Sequence, residues 1–211
     1  AYMDRGDRIW LCQGDHIIRY DTRTGIAQRL VSRLRGDITA ISETDGTNLF
    51  IGTVNGLFPV RERDGVLEAL ADTDSIRTPV SELYYHPGSK KLFVGTFRKG
   101  ILVYGVSAGS TLRNVAVNRI TPLNDRELLI ATGGRMDMDS LVPKPYITAD
   151  YASHNGMNGD NINDIYVDGG DRIWLANYPA GVTIRNNRYQ SVICAGGYAS
   201  GLYRIEKKNE R

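Results

Sequence analysis

Residues 162 to 185 read I-N-D-I-Y-V-D-G-G-D-R-I-W-L-A-N-Y-P-A-G-V-T-I-R, and this stretch decides the fold class. Ile165 and Val167 alternate with polar residues, then Ile173-Trp174-Leu175 form a short run of bulky apolar side chains; both are β patterns. Asp168-Gly169-Gly170-Asp171 between them has turn composition, and Gly181 precedes a third β-prone piece, Val182-Thr183-Ile184. The unit reads strand, turn, strand, turn, strand, and no helix fits it.

A sheet this small cannot bury both of its faces alone and needs neighbours of the same shape. The chain supplies them. Asp37-Ile38-Thr39-Ala40-Ile41 leads through Asp45-Gly46 to Leu49-Phe50-Ile51-Gly52-Thr53, and Val80 to Tyr85 leads through Gly88 to Leu92-Phe93-Val94-Gly95-Thr96. Near the start, Asp4-Arg5-Gly6-Asp7-Arg8-Ile9-Trp10-Leu11 almost repeats Asp168 to Leu175, while Leu128-Leu129-Ile130-Ala131 is a copy without the aromatic. Trp10, Phe50, Phe93, Leu129 and Trp174 are therefore equivalent anchors, separated by 40, 43, 36 and 45 residues. A period near 40 with about four strands per copy is that of a β-propeller blade.

The expected architecture is an all-β propeller of four-stranded antiparallel blades, a fragment of five to six blades from a ring of seven. Residues 1–205 divide into copies at 1–34, 35–76, 77–113, 114–161, 162–190 and a partial 191–205, with 206–211 as a charged tail. The first copy lacks a leading strand in this reading, and the fourth breaks at Gly133-Gly134 into a long polar stretch with Tyr151 and His154. Ile193-Cys194-Ala195 aligns with Ile173-Trp174-Leu175 at an offset of 20 residues, half the period, as if about half a repeat were missing between them.

Composition narrows the function. The 211 residues carry 26 basic and 24 acidic side chains for a net charge of +2, which is no footprint of a nucleic-acid binder. No apolar run is long enough to cross a bilayer, and the opening A-Y-M-D-R-G lacks the features of a signal peptide, so the residues leave location open. Cys12 and Cys194 fall in strand patterns and read as small buried side chains rather than a metal pair or a disulfide. His16, His86 and His154 stand far apart and read as structural or solvent-facing; Asp137 and Asp139 read as a solvated loop rather than an acid pair or Ca²⁺ site. No nucleophile elbow, zinc-protease, Walker or dinucleotide-binding motif is present. The expectation is a chain with no catalytic residues, no metal and no cofactor; a propeller lyase or hydrolase, whose site would leave no linear motif, stays open as an alternative.

The blade phrases resemble the two-component regulator propeller repeat of the periplasmic sensor region in Bacteroides-type hybrid two-component systems. Asn163-Asp164-Ile165-Tyr166-Val167-Asp168, Ile173-Trp174-Leu175 and Gly201-Leu202-Tyr203-Arg204 carry the likeness, which extends over nearly the whole chain. The resemblance implies a periplasmic, non-enzymatic module that binds a signal, an oligosaccharide by preference, and transmits it to a cytoplasmic histidine kinase for transcriptional control. It implies a small-molecule or oligosaccharide partner, no nucleic acid, membrane attachment only through segments outside this chain, and leaves a homodimer open; a protein-interaction platform is the rival reading.

In a four-stranded antiparallel blade the loop between strands two and three shares a face with the link from one blade to the next. Phe97, Arg98, Lys99, Tyr178 and Tyr198 occupy such loops. Rings that stack on sugar faces beside cations that read hydroxyls make them the candidate ligand residues. The alternative for Tyr178 and Tyr198 is packing between blades.

Overall fold

The computed structural model describes residues 1–14, 16–45, 49–70, 76–105, 116–124, 127–133, 161–170, 172–178, 181–186 and 192–195. Every regular element among them is a β-strand. The chain forms two compact units, 1–117 and 118–211.

In the first unit β1 (Tyr2–Met3), β2 (Arg8–Gln13), β3 (His16–Asp21) and β4 (Ala27–Ser32) form one antiparallel blade, and β5 (Ile38–Glu43), β6 (Leu49–Thr53), β7 (Gly56–Arg63) and β8 (Val66–Ala69) form the next. A leading strand is thus present in the first blade, reduced to two residues that pair Tyr2 with Trp10 and Met3 with Ile9. The outer strands β4 and β8 touch in a short parallel pairing, Val31 with Val66 and Ser32 with Leu67. β9 (Val80–His86), β10 (Lys91–Thr96) and β11 (Ile101–Val103) make a third sheet. β12 (Ala116–Asn124) pairs with β13 (Glu127–Gly133).

The second unit contains the clearest sheet, β14 (Asn161–Val167), β15 (Arg172–Tyr178), β16 (Gly181–Asn186) and β17 (Val192–Ala195) in sequential antiparallel order. Val192–Ala195 pairs with Val182–Arg185 as the outer strand of this sheet, where the sequence alignment had put it second in a further copy. Four extended residues satisfy both positions in sequence; only the pairing partner separates them.

The blades pack face to face because the two-residue period gives each sheet two apolar sides. Trp10, Ile17 and Leu30 of the first blade bury against Ile41, Leu49, Ile51, Val60 and Leu67 of the second. On its other side the second blade sets Phe50 and Leu57 against Val80, Leu83, Leu92 and Val94 of the third. Two residues after each anchor the repeat holds a small side chain or none, and the reason is steric. A Cβ added at Gly52 would lie 2.4 Å from Val80 Cγ1, and one at Gly95 would lie 2.8 Å from Val117 Cγ1. The incoming blade's leading valine occupies that hollow.

The duplicated D-x-G-D-R-I-W-L phrase also has one structure. Asp4 Oδ1 accepts the Gly6 and Arg8 backbone N–H groups at 2.8 and 3.0 Å, and Oδ2 accepts Arg8 Nε and Trp10 Nε1, each at 2.7 Å. Asp168 repeats all four bonds with Gly170, Arg172 and Trp174 at 2.6 to 3.1 Å. Burial opposes ionisation of Asp4, but the donors from Trp10 and Arg8 outweigh it and hold the carboxyl below its ordinary range. For Asp168 the Trp174 N–H is the leading cause, and the carboxyl lies well below the usual value. Each clasp fixes the turn and locks the anchor tryptophan's ring.

Candidate functional site

The link-and-loop face predicted from connectivity exists in the first unit, and backbone hydrogen bonds define it. Ile38 N donates to Gly14 O at 2.9 Å and Val54 N to Asp37 O at 3.1 Å, which sets the first link between the strand-two-to-three loops of blades one and two. Leu57 N donates to Ile76 O at 2.9 Å and Phe97 N to Pro79 O at 3.2 Å, repeating the arrangement one blade on. The result is a continuous rim of loops and links.

The loops of the second and third blades are each shaped by a buried threonine that ends strand two. Thr53 Oγ1 donates to Gly56 O at 3.2 Å and accepts Asn55 N at 3.0 Å. Thr96 Oγ1 donates to Gly100 O at 2.9 Å and accepts Lys99 N at 2.7 Å. Both loops close on a glycine of positive φ, 140° at Gly56 and 68° at Gly100, a conformation that side chains disfavour. The third blade's loop is one residue longer, and it leaves Phe97 46% exposed with Arg98 and Lys99 exposed beside it. These three of the five predicted residues therefore stand together on the rim. Tyr178 ends β15 in register with Asn161, and Tyr198 lies outside the described residues.

A cavity of about 570 Å³ opens on the same rim, and the sequence reading did not single it out. Arg35 from the first link and Arg77 from the second line it, with Asn55 from the intervening loop and Leu57, Pro59 and Ile76 as its apolar wall. Gly36, at a φ of 90°, allows the close approach: a Cβ there would meet Asn55 Nδ2 at 2.6 Å. Guanidinium groups and a carboxamide over an apolar wall suit a ligand with a hydrocarbon face and polar or anionic edges. The signal available in sequence was the rule that links and loops share a face, applied to Arg35 and Arg77.

Other candidate chemistry resolves into structure. His86 is 6% exposed, and its Nδ1 accepts the Ser89 N–H at 3.0 Å across the turn after β9. Cys12 is half-buried and free, and burial pushes its thiol up to about 11. Among the described residues no three His, Cys, Asp or Glu side chains converge as a metal site, and no helix is long and apolar enough to cross a membrane. His154, Asp137 and Asp139 lie outside the described residues.

No known family model matches the sequence, and no curated protein matches it. Solved structures do. The chain is similar to the extracellular domain of the hybrid two-component system BT4673 from B. thetaiotaomicron, with a TM-score of 0.60, 20% identity and coverage of 86% of this chain and 26% of that one. The corresponding domain of BT3049 from the same organism gives 0.61 and 18%, over 85% of this chain and 25% of that one. The WD40 propeller domain of Doa1 gives 0.62 and 10%, over 94% and 68%. The fold is a β-propeller fold. The sensor-system structures thus fit the resemblance seen in the blade phrases, and the chain spans about a quarter of the length of those extracellular domains.

Proposed function

We propose that this chain is part of the periplasmic ligand-sensing propeller region of a hybrid two-component system, and that the rim of its first three blades receives an oligosaccharide. The observation that carries the reading is the cavity between the two blade links: it opens on the face where Phe97, Arg98 and Lys99 stand, with Arg35, Asn55 and Arg77 at its polar edge. The likeness in fold to the extracellular domains of two hybrid two-component systems supports the sensing role. In this reading the protein binds and does not turn over its ligand, and occupancy changes how the blades or their partners are arranged, which the attached kinase reads.

The test is calorimetric titration of the chain with a panel of polysaccharide digests, repeated on Arg35→Ala, Arg77→Ala, Phe97→Ala, Arg98→Ala, Tyr178→Ala and Tyr198→Ala. Loss of about tenfold or more in affinity in the first four places the ligand on this rim. Unchanged affinity in all six removes the rim, and hydrolysis or elimination of a bound saccharide replaces the sensor with an enzyme.

A further inference from the structure

The arginines of this chain are unevenly paired. Arg5, Arg8, Arg19, Arg23, Arg33 and Arg172 each hold a carboxylate oxygen at 2.6 to 2.9 Å. With 26 basic and 24 acidic residues, the chain has carboxylates enough for such pairing throughout. The rim departs from it. Arg35 of the first link and Arg98 and Lys99 of the third blade's loop are exposed, and among the described residues none of these three side chains has an ion-pair partner. Asp37, on the same link as Arg35, is exposed and pairs with none of them; Asp15, Asp72 and Asp74 of neighbouring connections lie outside the described residues.

These cations belong to one stretch of surface. Arg35 lines the cavity between the two links, Arg77 lines it from the second link, and Asn55 stands between them. Two residues beyond Arg77, Pro79 O accepts the Phe97 N–H at 3.2 Å, which ties the loop carrying Arg98 and Lys99 to that link. The exposed apolar side chains of Val54, Leu70 and Phe97 lie on the same connections.

A cleft edged by cations of one sign raises the local concentration of anions, and the planar fork of a guanidinium matches a carboxylate or sulfate through two parallel hydrogen bonds. Leu70 and Phe97 offer surface for the C–H faces of a sugar ring, with Phe97 able to stack on one. A neutral saccharide would use the apolar surface and leave the cations unmatched; an acidic one uses both.

We propose that the saccharide received by this rim is an acidic one, whose carboxylate or sulfate groups are taken by Arg35 at the cavity and by Arg98 and Lys99 on the neighbouring loop. The inference rests on the oligosaccharide reading above and narrows it to a class of ligand.

Calorimetric titration with three matched probes tests it: a polyuronate tetrasaccharide, the same tetrasaccharide with its carboxyl groups reduced to primary alcohols, and a sulfated tetrasaccharide. At least one acidic probe binds, the reduced probe binds more weakly by about tenfold or more, and raising salt from about 0.05 to about 0.5 M weakens the acidic probe alone. Whichever acidic probe binds assigns the anion as carboxylate or sulfate. Arg35→Gln and Arg98→Gln each weaken it by about tenfold and leave neutral saccharide binding as it was, while Arg61→Gln, an exposed cation of β7 away from the rim, changes neither. Neutral saccharide bound as tightly as acidic, or bound alone, overturns this inference and leaves the oligosaccharide reading standing. Acidic binding untouched by both rim variants also overturns it. Binding of no saccharide, or of polyglutamate in place of one, overturns both readings, and the second result assigns the rim to an acidic protein partner.

Discussion

Replacing Asp4 by Asn keeps the shape of the clasp and inverts half of its chemistry. The retained carbonyl oxygen still accepts Gly6 and Arg8 N–H, but the new amide nitrogen faces Arg8 Nε and the buried Trp10 Nε1, both donors. Two bonds to the ionised carboxylate are lost, one from the Arg8 guanidinium and one from the buried indole, and the Asp4 side chain is 1% exposed, so water cannot replace them. Hydrogen bonds to charged groups are worth about 1.5–3 kcal/mol; with about 2 for the buried Trp10 bond and about 1 for the Arg8 contact, discounted for that guanidinium's exposure, the loss is about 3 kcal/mol. With a urea slope of about 2 kcal/mol/M, the midpoint of the first unit falls by ~1.5 M. The effect carries a pH signature. Because the folded carboxyl is held below its unfolded value, the stabilisation is complete above the unfolded value and is lost as pH falls through it towards the folded one. The gap between wild type and Asp4→Asn therefore closes below about pH 4. Urea unfolding at neutral pH and in acid measures both quantities, with Asp64→Asn, whose side chain is 92% exposed, as control. If Asp4→Asn shifts the midpoint no more than that control, the clasp is not what fixes Trp10.

Two further outcomes follow from the joints. Gly52→Ala drives a methyl into the stiff, β-branched Val80 and destabilises by about 1–3 kcal/mol, and adding Val80→Ala recovers part of that loss in a double-mutant cycle by chemical denaturation. Cys12, with its thiol pushed up to about 11 by burial, stays protonated at mildly alkaline pH; the folded chain alkylates at this position far more slowly than the denatured chain, measured by peptide mass analysis after iodoacetamide.

The repeat, its period and the strand content were legible because each depends on local pattern. The two-residue alternation, the turn glycines and the anchor spacing are all written within about 40 residues of chain, the span of one blade. The face that gathers Phe97, Arg98 and Lys99 was legible too, since strand number fixes which connections share an end. Arg35 and Arg77 were harder. Their role comes from a cavity between two links 42 positions apart, and no local phrase marks either residue.

Sequence alone determined that this chain is built from stacked small sheets with an aromatic or leucine anchor in each, because alternation and spacing are properties of neighbouring residues. Tertiary structure decided which sheet owns Val192–Ala195, why Gly52 and Gly95 have no side chain, and that one aspartate in each D-x-G-D-R-I-W-L phrase holds the turn and the tryptophan together. Pairing and cover are relations between surfaces distant in the chain. Four extended residues or a glycine therefore acquire their role only from the sheet that packs against them.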